Sequence, residues 1–145
     1  MIDTRTAAYG ALLLRVTLGV LLLIHFALKY FVFTPAGTAQ FFTSIGLPAA
    51  LAYLTMLVEL AAGIALLLGV WARVAALAAV PVLLGAILFV HGSNGFFFSA
   101  PNGGWEYPAF WAVALVVQAL VGDGAMALLP TSIKLGTDGA LAARP

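Results

Sequence analysis

One carboxylate, Glu59, lies inside an apolar run of the sequence that extends from residue 47 to residue 70. At about 1.5 Å of rise per residue, a helix over this run places Glu59 roughly 18 Å from Leu47, near the midplane of a bilayer. A lone charge at that depth costs on the order of 3 kcal/mol, so it must face other helices and find either a partner or a proton. The sequence therefore predicts a buried carboxylate that is able to exchange protons with a bound molecule.

Three basic residues of the first apolar run are its candidate partners. At about 100° per residue, His25, Lys29 and Arg15 fall within an arc of about 80° on one helix face. One interpretation is a site in which His25 and Glu59 handle protons beside Lys29. The alternative is an ion pair that fixes the packing of two helices. Arg15 lies about 15 Å along the axis from His25, so we give it a structural role, either reaching toward Glu59 or snorkelling to the interface.

A second group of candidates flanks the loop HGSNGFFFSAPNGGWEYP, residues 91–108. His91 and Glu106 are expected at its membrane-proximal ends, either as a pH-sensitive cap or as a loop-closing hydrogen bond. The aromatic residues suit a membrane–water interface, and Gly104 has a structural role in a tight turn. The loop contributes these predicted ligand-binding residues, in addition to Lys29: His91, Asn94, Phe96, Phe97, Trp105 and Glu106.

Several classes of site are disfavoured. The absence of cysteine excludes thiolate chemistry, iron–sulfur clusters and thiolate zinc sites, and a net charge of +1 offers no basic surface for nucleic acid. His25 and His91 are the minimum for bis-imidazole haem ligation, but no haem-attachment motif is present, so haem is disfavoured. The His and Glu residues have no local metal-ligand spacing, and we predict no metal site. The glycines at 103 and 104 lack the helix and lysine of a phosphate-binding loop.

Membrane helices must position these residues. The chain has 145 residues, of which 64% are hydrophobic and 8% are charged, so we predict an integral membrane protein with one domain over residues 1–145. The fold predicted is all-α, a four-helix transmembrane bundle. Its helices cover about residues 8–33, 47–70, 73–91 and 105–122, followed by a tail over 123–145 that is poorly ordered beyond Ser132.

The basic residues also predict an orientation. Four of them lie on the side shared by both termini and the middle turn, namely Arg5, Arg73, Lys134 and Arg144. The two opposite connections contain no lysine or arginine beyond Lys29 at the end of the first helix. The positive-inside rule therefore places both termini in the cytoplasm, with the polar cluster around Glu59 toward the outer half of the membrane.

The residues LLLIHFALKYF (21–31), the passage through Glu59 and the loop 91–108 resemble the DoxX family of small bacterial membrane proteins. The resemblance covers about residues 10–124 and implies a multi-pass protein of the bacterial inner membrane that is associated with redox work. The family takes its name from a subunit of a thiosulfate:quinone oxidoreductase. The resemblance also implies importance for these matching positions: His25, Lys29, Glu59, Asn94, Gly104 and Glu106.

Our leading hypothesis is a quinone-linked oxidoreductase subunit. A quinone head would enter near Glu59 between Phe96, Phe97 and Trp105. The chain has no evident redox centre of its own, so electrons would come from a partner protein or a bound cofactor. One alternative is a non-enzymatic assembly or interaction subunit, or an oligomer, that uses the small residues of the third helix to seat another helix. A small-molecule transporter ranks last, because the inner half offers few polar residues.

Overall fold

The computed structural model describes residues 3–131, and this part of the chain is helical without a β-sheet. The predicted all-α fold is confirmed. The helices are α1 (Thr4–Ala27), α2 (Pro35–Ser44), α3 (Ala49–Leu68), α4 (Ala72–Ala86) and α5 (Glu106–Val121). Two of them continue into a widened π turn, α1 at Leu28–Val32 and α4 at Ile87–His91.

Three helical stretches are long and apolar enough to cross a membrane, namely Arg5–Val32, Ala49–Leu68 and Ala72–Asn94. The fourth, α5, is apolar but shorter. The chain is therefore a multi-pass membrane protein, as predicted. Large apolar side chains such as Leu13, Leu57 and Leu120 are exposed on the outer surface, where lipid would cover them. The side of the membrane that each end faces stays a prediction.

The connection predicted between the first two spanning helices contains an additional helix, α2. Thr34 precedes it and accepts a hydrogen bond from the Gly37 amide through its side chain (3.2 Å), while Pro35 occupies the first turn. These are ordinary helix-start signals, although the Gly and Pro content favoured a loop. Thr38 is buried and donates from its hydroxyl to the Lys29 carbonyl (3.1 Å), which ties α2 to the π turn of α1.

The core joins α1, α3, α4 and α5. Leu22 and Leu66 are fully buried, and the alanines of α4 fill the narrow spaces between the helices. Small residues let membrane helices approach closely where lipid gives no hydrophobic drive for association. Ala75, Ala76 and Ala79, which the assembly hypothesis needs at the surface, are buried within the chain itself.

Two glycines set the crossing of α1 and α3. A Cβ atom on Gly19 would lie 2.9 Å from the Gly63 carbonyl oxygen, and one on Gly63 would lie 2.8 Å from the Leu23 side chain. Backbone cannot move aside as a side chain does, so any larger residue at position 19 pushes α3 away. Gly63 is one turn from Glu59, and the close contact therefore brings the carboxylate toward α1.

The segment after α5 returns to the bundle. Asp123 accepts hydrogen bonds from the Ala72 amide (2.8 Å) and from the amide and hydroxyl of Thr131 (both 2.9 Å). Arg15 is 1% exposed and donates to the Ala125 carbonyl (3.1 Å). The partner of Arg15 is therefore this segment and not Glu59, and its structural role stays a prediction. The tail beyond Ser132, with Lys134 and Arg144, lies outside the described residues.

We expect Gly19→Ala to lower stability by about 1 to 3 kcal/mol, because the added methyl group overpacks the α1–α3 crossing. Gly10→Ala is the matched control, since a Cβ atom there meets nothing within 4 Å. Thermal unfolding in detergent measures both variants. Equal melting temperatures for the two would contradict the close crossing.

A second prediction concerns how the stability of the protein changes at acidic pH. Burial raises the pKa of Asp123, but the hydrogen bonds from Thr131 and Ala72 and the charge of Arg73 outweigh it and lower this pKa below its ordinary value. The resulting stabilisation is present above the unfolded-state pKa of about 3.9 and is lost as the pH falls through the folded-state pKa. We expect the melting temperature of the parent to fall between about pH 5 and pH 3 more steeply than that of Asp123→Asn. Asp3→Asn, at an exposed carboxylate, should keep the parent's profile.

Candidate functional site

A cavity of about 1150 Å³ lies at the end of the bundle that carries the two π turns. Residues of α1 and its π turn, α2, α3, α4, the loop before α5, and α5 itself line it. The wall is mostly apolar, so its few polar groups decide what it can recognise. Those groups are His25, Lys29, Thr38, Thr55, Glu59, His91, Tyr107 and Trp111.

The ion pair between Lys29 and Glu59 is the polar centre of this wall. The Lys29 ammonium donates to Glu59 Oε1 at 2.7 Å, and Glu59 is 2% exposed. Lys29 belongs to the π turn Leu28–Val32, a helix distortion that is frequent at functional sites. The second carboxylate oxygen, Oε2, has no hydrogen-bond partner among residues 3–131. Half of this carboxylate is therefore free to meet a ligand.

His25 lies one turn before Lys29 and is half-buried. Its ring meets that of Trp111 from α5 edge-on, with the ring centroids 4.9 Å apart. Trp111 is 3% exposed, and its indole Nε1 has no hydrogen-bond partner in the described part of the chain. The His25 imidazole, the Lys29–Glu59 ion pair and the Trp111 indole thus line one cavity.

His91 and Asn94 organise the loop at the cavity mouth. His91 Nδ1 lies 3.0 Å from the Gly103 carbonyl oxygen, and the Asn94 amide donates to the carbonyls of Val90, Asn102 and Gly103 at 3.1 to 3.2 Å. His91 also lines the cavity, whereas Asn94 does not. The loop-closing hydrogen bond of His91 is therefore made to Gly103.

Glu106 is engaged elsewhere in the loop. Its Oε1 accepts a hydrogen bond from the Phe98 amide at 2.9 Å, so the predicted pairing of His91 with Glu106 is wrong. The prediction considered only the side chains at the two ends of the loop and not its backbone groups. In the folded loop, Glu106 bonds to the Phe98 amide and His91 to the Gly103 carbonyl.

The three aromatic residues predicted to hold a ligand form a surface cluster. Phe96 contacts both Trp105 (ring centroids 4.8 Å apart) and Phe97 (5.4 Å), and all three are exposed and absent from the cavity wall. Gly104, which does line the cavity, is buried where a side chain would collide with the carbonyl oxygens of Phe96 and Phe97. The ligand-binding role of the aromatic cluster stays a prediction.

The DoxX family model matches residues 10–92, which extend from α1 to the end of the π turn of α4. The chain belongs to the DoxX family. A relative from Bacillus subtilis (strain 168), named "Putative oxidoreductase CatD", is 33% identical over 125 residues, which are 86% of this chain and 88% of the relative. No solved structure matches this DoxX chain significantly. Four of the predicted catalytic and ligand-binding residues fall within the match: His25, Lys29, Glu59 and His91.

Sequence reasoning missed part of the wall of this DoxX protein. Thr55 lies one turn before Glu59 on α3, so helical spacing alone could have added it. Trp111 and Tyr107 lie one turn apart on α5 with ring centroids 5.9 Å apart, but nothing in the sequence shows that they face α1. Thr38 depends on α2, which was not predicted.

We expect Lys29→Met to destabilise this protein by about 3 to 5 kcal/mol, because it leaves the buried Glu59 charge without a partner. Adding Glu59→Gln to the same chain should restore most of the loss, since the amide is neutral. Thermal unfolding of both single variants and the double variant in lipid discs tests this coupling. Strict additivity of the two effects would show that the pair contributes nothing to stability.

Proposed function

We propose that this DoxX protein is the membrane subunit of a quinone-linked oxidoreductase, and that the cavity receives the quinone ring. The observation that carries the proposal is a buried ion pair, with one carboxylate oxygen free, at the wall of a large apolar cavity. Family membership and the name of the Bacillus relative support redox work. Small-molecule cavities commonly measure about 300 to 1,000 Å³, so a substituted ring and the first part of a tail have room here.

The cavity suits a molecule that arrives through the bilayer. Leu51 and Leu54 of α3 and Phe89 of α4 line it and are also exposed on the outer surface of the bundle. In a membrane that surface faces lipid, so a lipid-soluble ring can reach the polar wall without crossing water.

Reduction of a quinone adds two electrons and two protons, and each carbonyl becomes a hydroxyl. The chain has no cysteine, and we assign the electrons to a partner redox protein. Glu59 and His25 transfer the protons, since carboxylate and imidazole are the groups that exchange protons near neutral pH. Lys29 keeps Glu59 oriented and neutralises its charge when the proton has left.

The assembly alternative has less support. It depends on small residues of α4, but Ala75, Ala76 and Ala79 are buried against the other helices of this chain. Ala78 and Gly85 remain at the surface, and both line the cavity.

The test is the quinone content of the protein purified in native lipid discs. We expect about one quinone per chain in the parent, counted as the sum of the oxidised and reduced forms, and about tenfold less in Glu59→Gln, because the hydroxyl of the reduced ring loses a charged acceptor. Asp3→Asn makes the same chemical change at an exposed position and should retain the quinone. Parent protein without quinone in native lipid would contradict the proposal.

A further inference from the structure

Two residues of the cavity wall each carry a buried polar atom with no hydrogen-bond partner among residues 3–131. These atoms are the acceptor Glu59 Oε2 and the donor Trp111 Nε1. Glu59 is 2% exposed and Trp111 is 3% exposed, so bulk water does not form hydrogen bonds with these atoms. The other unpartnered buried side-chain atoms among residues 3–131 belong to Arg15 and Gln118, and neither residue lines the cavity. A ligand in the cavity is thus the natural partner of these two atoms.

The two atoms require hydrogen-bond partners of opposite kinds. In the ion pair with Lys29, Glu59 is a carboxylate, which only accepts hydrogen bonds, so Oε2 of the pair requires a donor. The indole Nε1 only donates, so it requires an acceptor oxygen. A quinone carbonyl can satisfy Trp111 but not Glu59. A quinol hydroxyl donates and accepts, and its ring carries two of them.

We infer that the cavity binds the reduced, hydroxyl-bearing form of the ring in preference to the quinone, with a hydroxyl donating to Glu59 and a ring oxygen accepting from Trp111. This inference rests on the proposed function. A tenfold preference for the quinol raises the two-electron potential of the bound couple by about 30 mV, which favours reduction at this site.

The experiment measures three dissociation constants by equilibrium dialysis under anaerobic conditions. The full chain is placed in discs of synthetic, quinone-free lipid, and the probes are trimethylhydroquinone, trimethylbenzoquinone and the dimethyl ether of the quinol. We expect the quinol to bind about tenfold more tightly than the quinone and than the ether, since only the quinol donates to Glu59. The ether comparison needs no variant and so is independent of any folding defect.

Two variants test which side chain forms each of the two hydrogen bonds to the ligand. Glu59→Gln should reduce the preference for the quinol to less than about threefold, because the amide offers a weaker acceptor. Trp111→Phe should weaken the binding of quinol and of quinone by a similar factor, since both forms carry an acceptor oxygen. The ratio of the two dissociation constants should therefore stay unchanged. Asp3→Asn should match the parent.

Quinone binding as tight as quinol binding in the parent would overturn the inference and leave the proposed function intact. A preference that survives unchanged in Glu59→Gln would also overturn it. No binding of any of the three probes would count against the proposed function itself.

Discussion

The contact between Lys29 and Glu59 places the strongest constraint on this fold. A carboxylate and an ammonium inside a bilayer must meet each other, because neither has water nearby. They meet since Gly19 and Gly63 allow α1 and α3 to touch along their backbones, one turn from Glu59. The π turn at the end of α1 carries Lys29, and the buried Thr38 of α2 holds that turn through the Lys29 carbonyl.

The opposite end of the bundle satisfies its charges in a different way. Asp123 binds backbone amides, and the guanidinium of Arg15 reaches a backbone carbonyl of the same returning segment. Arg73 donates to the carbonyls of Ala119 and Leu120 at the end of α5, where the helix has unpaired acceptors. Charged side chains at this end therefore hold the returning segment and the end of α5 against the bundle, whereas the Lys29–Glu59 ion pair lines a cavity.

The sequence could predict what depends on single helices. The apolar runs gave four helices whose bounds agree with the structure within a few residues, and the helical arc brought Lys29 to the face that meets Glu59. It could not predict contacts that depend on how elements pack. Arg15 pairs with a segment more than a hundred residues away, and Glu106 with an amide that only the folded loop presents. Trp111 enters the wall through the rotation of α5, which no pattern in its apolar sequence defines.

Unpartnered buried atoms alone do not identify a binding site in this molecule. Arg15 and Gln118 also have them, yet both are packed among the helices and serve the closed end of the bundle. What distinguishes Glu59 and Trp111 is that their free atoms belong to the wall of a cavity whose other side is lipid-facing leucine and phenylalanine. A site with polar groups on one wall and apolar residues on another suits a molecule with the same division, a polar ring head on a body that partitions into the membrane. The quinone couple that we propose as the ligand has that division, and its reduced form differs from its oxidised form in carrying the two hydroxyl hydrogens that a carboxylate such as Glu59 can accept.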